Sequence, residues 1–199
     1  ERNRQVKHLV SKIHSAPRVT SALKLLPSLG LTPGSAFDLT TVDEEGNNWD
    51  FTVPEMREKA LRRVEVDKPY CLIGSPPCTP FCALQALNAA QYGGADEKVQ
   101  ERLRAGTVHM EFVCLLYKKQ LEGGRHFLHE HPRYATSWQL RRMADLMALP
   151  GVELAHGDQC QYGAIIRRGM KTGDPIKKPS GFLSNSPEVC KQLSRRCNG

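Results

Sequence analysis

The chain has 199 residues, 40% of them hydrophobic, with 28 Lys and Arg against 21 Asp and Glu, giving a net charge of +7. That composition is ordinary for a globular domain and leans toward anionic partners such as nucleic acid. No apolar run approaches the ~20 residues of a membrane-spanning helix. The start Glu1-Arg2-Asn3-Arg4 leads into no signal-peptide core, so the expectation is an intracellular protein, nuclear or cytoplasmic. Seven cysteines without paired spacing read as reduced thiols rather than a disulfide framework.

In chain order, residues 6–13 read as a first strand, and 14–18 as a loop. Thr20 or Ser21 opens a short helix to Leu29, stopped by Gly30. Residues 35–39 read as a second strand carrying Asp38 at its end. A turn at 43–47 and a short ordered piece at Trp49-Asp50-Phe51 follow, and Pro54 opens a helix to about Val64. Tyr70 to Ile73 form an uncharged, buried strand. Pro80 then begins a helix capped by Thr79, with Phe81, Leu84 and Leu87 on one face. A long helix spans 96–121, with Val99, Leu103, Phe112, Leu115 and Leu116 as its apolar face. Arg125 to Glu130 read as a strand closed by His131-Pro132, Ser137 caps a helix over 138–149, and 152–155 form another strand. Residues 159–185 contain a hairpin around 169–173 and a strand at 181–183, and Pro187 opens a last helix carrying Val189 and Leu193. Strands alternating with helices predict an α/β fold, a three-layer sandwich with a mainly parallel sheet, in one domain spanning 1–199. The start without methionine and the end on Arg195-Arg196-Cys197-Asn198-Gly199 read as a domain cut from a longer polypeptide.

The stretch Ser75-Pro76-Pro77-Cys78-Thr79-Pro80-Phe81 places a thiol between a buried strand and a helix start. Such an edge is where open α/β sheets bind ligands, and backbone amides there favour a nucleophilic thiolate. The plainer role for Cys78 is that of a small buried hydrophobe. Glu130 is driven out of an apolar strand into a proline stop. It is a candidate proton donor beside that thiol, or a structural carboxylate paired with an arginine. His126, His129, His131 and Cys160 suggest a metal site, but His126 falls on the opposite strand face from His129 and His131. No metal is expected among them. Cys190 and Cys197 stand seven residues apart, a spacing that brings two thiols to one helix face. Arg141, Arg142, Arg167, Arg168, Lys171, Lys177, Lys178, Arg195 and Arg196 make the second half basic. That is either a solvated surface or a phosphate-tracking face.

Pro77-Cys78 followed by Phe81, and an apolar strand ending in Glu-x-Pro at Glu130, resemble the catalytic loops of the cytosine-5 DNA methyltransferases. The resemblance implies a Rossmann-like methyltransferase sheet, Cys78 attacking carbon 6 of a flipped cytosine, and Glu130 bonding the ring nitrogen. It implies S-adenosylmethionine as cofactor, bound around Ser15, Pro17, Asp38, Asp50 and Pro76. It implies nucleic acid, DNA before RNA, as partner, met by Gln159, Arg167, Arg168, Lys177 and Lys178. The runs Ser15-Ala16-Pro17-Arg18, Phe37-Asp38-Leu39-Thr40-Thr41, His129-Glu130-His131-Pro132 and Gln159-Cys160-Gln161-Tyr162-Gly163 also resemble a methyltransferase-like domain of eukaryotic retrotransposon polyproteins. That setting implies neighbouring polyprotein domains as partners. The chain departs from the methyltransferase pattern in three places. Its first loop lacks glycine, Ile13-His14-Ser15 replaces the acidic end of the first strand, and Gln159-Cys160-Gln161 stands where Gln-x-Arg is expected. The alternative to an enzyme is a nucleic-acid-binding domain of a mobile-element polyprotein that keeps the fold without the chemistry.

Overall fold

The computed structural model describes residues 8–82 and 97–198. Six strands form one sheet in the order β2-β1-β3-β4-β6-β5. They are β1 (His8–Ile13), β2 (Leu31–Phe37), β3 (Cys71–Gly74), β4 (His126–Pro132), β5 (Glu153–Asp158) and β6 (Pro179–Ser184). The first four pair in parallel, and β6 runs antiparallel between β4 and β5. The sheet is therefore mainly parallel, as expected, with one reversed strand.

The helices are α1 (Arg18–Leu23), α2 (Pro54–Asp67), α3 (Glu97–Glu122), α4 (Arg141–Met147) and α5 (Pro187–Gln192). Ala60 and Val64 of α2, Leu116 and Tyr117 of α3, and Met143 and Leu146 of α4 share one buried cluster with Leu72 and Phe127 of the sheet. α1 and α5 border the other face, where Val19, Leu23 and Val189 line a groove over Val10, Ile73 and Leu128. Burial of each large side chain in the main cluster contributes about 1.5–3 kcal/mol.

The structure corrects several boundaries. The expected helix from Thr20 to Leu29 is broken by Pro27 into α1 and a short 3-10 turn, and Gly30 ends that turn with φ 67°. β2 begins at Leu31, earlier than the pattern suggested. Its Pro33 is tolerated because β2 is an edge strand, and its register slips where it meets β1. Residue 34 is glycine because a side chain there would strike Ser11. Leu103 and Leu115 of α3 are exposed, whereas Phe112 and Leu116 are buried as expected, and Met110, Val113 and Tyr117 complete the buried face. Thr136 to Gln139 form a 3-10 turn before α4, so Ser137 caps no helix there. Its buried hydroxyl bonds the His131 ring at 2.7 Å. Ser186 caps α5, accepting from the Val189 amide at 3.4 Å. After Cys78 the described chain makes only the 3-10 turn Thr79–Phe81, with Cys78 rather than Thr79 at the cap position. Leu84 and Leu87 lie outside the described residues.

One close approach locks the carboxyl edge of the sheet. The Tyr117 hydroxyl of α3 lies directly against the backbone of Gly74, and a side chain at residue 74 would strike it and Ile13. Gly74→Ala is expected to cost about 1–3 kcal/mol in urea unfolding, the usual penalty of overpacking. Tyr117→Phe in that background should recover part of the loss, and a double variant no more stable than Gly74→Ala would show that the hydroxyl is not the obstacle.

Candidate active site

The chain leaves β1 for β2 on one side and later returns to β3 on the other, so the strand order reverses between β1 and β3. A crevice at such a switch point, beyond the carboxyl ends of the strands, is the usual ligand position in an open α/β sheet. The loop after β1 and the Pro-Cys loop after β3 meet here, joined by the Ser75 amide donating to Ile13 O at 3.2 Å. Gly74 pairs with His129, which places Glu130 one step further along the neighbouring strand.

Cys78 is half-buried with ordinary backbone angles, and its carbonyl accepts from the Phe81 amide at 3.0 Å. Pro76 is buried, and Phe81 anchors the loop in the core. Gly106 of α3 leaves room for this anchor, since a side chain there would press on Pro80 and Phe81. Burial raises the thiols of Cys71 and Cys114 to about 12, and that of Cys190 upward, so none of these three is a nucleophile near neutral pH.

Glu130 is held on one oxygen. Its Oε1 accepts from Ser180 Oγ at 2.9 Å and Gln159 Nε2 at 3.1 Å, and the Lys178 ammonium stands 3.6 Å away. Gln159 also donates to Ser180 Oγ at 3.0 Å, closing a small network that fixes the carboxyl group. These contacts leave Oε2 without a hydrogen-bond partner among the described residues. Gln159, read from the sequence as a nucleic-acid contact, is thus a neighbour of Glu130. Arg167, Arg168 and Lys177 are exposed on an arm closed by the Ile165–Pro175 bridge, and Lys178 connects that arm to Glu130.

Beneath the loops lies a cluster of imidazoles. Along β4, His129 and His131 face the helix layer of α3 and α4 and stack at 5.5 Å, and Trp138 meets both edge-on. His129 Nδ1 shares a 3.2 Å hydrogen bond with the Tyr117 hydroxyl. Burial, reinforced by His131 and His14, pushes the His129 pKa well below the ordinary range. Burial also lowers His131 to about 4, against the opposing pull of Glu130 and of the Pro77 and Pro76 carbonyls. His131 thus lies near the Pro-Cys loop, with Nδ1 bonded to Ser137 and its buried Nε2 without a hydrogen-bond partner among the described residues. Trp138 donates to Pro132 O at 2.8 Å and packs on the bare backbone of Gly181, which makes it a core residue rather than a base-stacking one. Among the described residues no group of three His, Cys, Asp or Glu side chains is placed to hold a metal ion.

Two further residues of the crevice escaped the sequence reading. His14 directly follows β1 with φ 52°, and its ring centroid lies 4.8 Å from that of Phe51 and 4.9 Å from that of His109 of α3. Burial, helped by His109, pushes its pKa to about 3. His109 is lowered by burial and partly restored by Asp50. The replacement of an acidic strand end by Ile13-His14 was a visible signal for His14, whereas nothing local singles out His109.

The residues expected around S-adenosylmethionine can be weighed on this geometry. Asp38 follows β2 and uses Oδ1 for the Thr40 amide and hydroxyl, at 3.0 and 2.7 Å. Asp50 does the same with Thr52, at 2.9 and 2.7 Å. Each carboxylate keeps an oxygen suited to a nucleoside. The first loop is different. The buried Lys12 ammonium donates to Ala16 O at 2.9 Å, with the Arg18 charge close enough to oppose its ionisation. Ser15 and Pro17 belong to this loop, which offers no bare glycine backbone. The methionine end of the cofactor, which carries a carboxylate as well as sulfonium and ammonium charges, finds no bare glycine backbone to lie against in that loop.

No protein-family model matches the chain, and no curated protein matches it. Among solved structures, the Entamoeba histolytica methyltransferase EhMeth is similar at 13% identity and a TM-score of 0.48, over 91% of this chain and 54% of that one. The chain thus spans about half the length of that structure. A likeness at this level does not bear on activity.

The buried imidazoles make stability depend on pH. His14, with a pKa of about 3, and His131, with about 4, are neutral in the fold, whereas in the unfolded chain they bind protons near pH 6.5. The unfolded state takes up more protons below that pH, so stability falls as pH drops from about 6.5 toward 4, by about 1 kcal/mol per pH unit for each histidine. Thermal unfolding between pH 7 and 4 should show this decline, and His14→Phe should make it shallower by one histidine's share; an equally steep profile in that variant would remove His14 as a source.

Proposed function

We propose that this chain is a cytosine-5-methyltransferase-like catalytic domain whose Cys78 adds to a cytosine ring in nucleic acid with Glu130 as partner. The reading is carried by the placement of Cys78 on the loop that leaves β3 and of Glu130 on the neighbouring parallel strand β4, one residue past the level of Gly74.

Carbon 5 of cytosine is a weak nucleophile until a thiolate adds to carbon 6. In that step the Cys78 sulfur forms a bond to carbon 6, the ring's double-bond electrons move toward carbon 5 and the ring nitrogen, and Glu130 donates a proton to that nitrogen. The electron-rich carbon 5 can then take a proton from water, and reversal of the addition restores cytosine with an exchanged hydrogen. Ser180, Gln159 and Lys178 hold Glu130 through Oε1, which leaves Oε2 for the base. The base must leave its stack to reach a half-buried thiol. The exposed Arg167, Arg168 and Lys177 fit phosphate contacts beside it, and DNA is the partner this reading favours. The methyl donor that the reading implies, S-adenosylmethionine, is not matched by the first loop, and no step above passes through it.

The second reading, a nucleic-acid-binding domain without methyl transfer, is favoured by Lys12 and His14 at that loop.

Addition can be measured without any donor. A single-stranded cytosine oligonucleotide incubated in deuterium oxide should exchange its carbon 5 hydrogen in the presence of the protein, read by mass spectrometry. Cys78→Ser should lower the rate at least 100-fold and Glu130→Gln about 10- to 100-fold; exchange unchanged in Cys78→Ser would remove the thiol from the mechanism.

Calorimetry with S-adenosylmethionine and S-adenosylhomocysteine separates the two readings. Under the second, neither ligand gives heat at millimolar concentration; binding of either would restore a methyl donor to the site.

A further inference from the structure

β5 is an edge strand, and after α5 the chain runs back beside its end. The Asp158 amide donates to Arg195 O at 2.9 Å, and the Arg195 amide donates to the Tyr162 hydroxyl at 3.0 Å. The Cys197 amide donates to Asp158 Oδ2 at 2.8 Å, and Arg196 Nε stands 3.3 Å from the same oxygen. Gly157 has no side chain because the Leu193 carbonyl lies against it. Cys160 belongs to the 3-10 turn Gln159–Tyr162 that directly follows Asp158. These bonds bring the free thiols of Cys160 and Cys197 close to each other. Cys190, seven residues before Cys197, is buried elsewhere, its sulfur against Glu153 O at 3.6 Å and Ser184 O at 4.0 Å. Asp158 Oδ1, buried beside the pair, has no partner among the described residues.

We propose that Cys160 and Cys197 are a redox pair that a peroxide converts to a disulfide, pinning the carboxy-terminal tail to the turn that carries Gln159. One thiol, as thiolate, attacks a peroxide oxygen and becomes a sulfenic acid, releasing one water. The second thiol then attacks that sulfur, forming the S–S bond and releasing another. The two sulfurs lose two electrons to the peroxide, and both thiol protons leave in water. Burial, the neighbouring thiol and Asp158 all raise the Cys160 pKa, so oxidation is slow near neutral pH and accelerates as pH rises. Because Gln159 bonds Glu130, the pinned turn adjoins the candidate centre, and this last consequence alone rests on the proposed function.

The 199-residue chain is treated with hydrogen peroxide, blocked with N-ethylmaleimide, digested without reductant and mapped by mass spectrometry, with thermal unfolding followed in parallel. The expected product is a Cys160–Cys197 peptide pair, reversed by dithiothreitol. The thermal midpoint should rise roughly 5–10 °C, as for a disulfide closing a loop of this size. Cys160→Ser and Cys197→Ser should each abolish that rise. Oxidation of either thiol to sulfinic acid without the link, or a dominant link between other cysteines, overturns the proposal. Neither result depends on Cys78 or on cytosine exchange, so failure here is distinguishable from failure of the catalytic reading.

Discussion

The phenol of Tyr117 reaches the sheet only because residue 74 has no side chain. Its ring stacks on Phe127 at 4.6 Å and its hydroxyl bonds His129, so one residue of α3 ties together β3 and β4 at their carboxyl ends. Interiors pack at crystal-like density, and a contact this tight leaves little slack in the loops that spring from the two strands. The Pro-Cys loop leaves β3 from Gly74, and Glu130 directly follows His129. The relative placement of the candidate nucleophile and its partner is thus set below the site, by an aromatic ring filling a gap left by glycine.

The electrostatics arise from the same packing. Imidazoles buried against rings and apolar side chains lose the solvation that their charged forms need, so His14, His129 and His131 are held neutral. A neutral cluster lets the loops pack closely without assembling cations under a thiol. The glutamate above it is treated differently, with a serine, an amide and an ammonium gathered on one of its oxygens. At the first loop Lys12 is buried as a clamp on Ala16, a structural use of a charge.

Much of the fold was legible in the sequence because hydrophobic periodicity and proline punctuation are local signals. The uncharged run into Ser75-Pro76-Pro77-Cys78 marked a buried strand and a stop, and the apolar run ending at Glu130 marked its neighbour. Local signals misled where tertiary contacts compensate. Pro33 and Gly34 hid the start of β2, which tolerates them at a sheet edge. Ser137 looked like a helix cap because its use as a partner of His131 depends on a strand nearby in space but not adjoining it in sequence. Leu103 and Leu115 fit a helical stripe, yet of that stripe Phe112 and Leu116 are the buried members, joined by Met110 and Tyr117.

The sequence by itself determined the class of fold, the strand that delivers Cys78 and the strand that delivers Glu130, since each depends on residues within a few positions of one another. Only the tertiary structure decided who meets whom. It placed Gln159, Ser180 and Lys178 on Glu130, His109 against His14, and Cys197 beside Cys160 rather than Cys190. These pairings join residues far apart in the chain, and their geometry is fixed by the order of strands in the sheet and by close packing. Neither quantity is written in any short stretch of sequence.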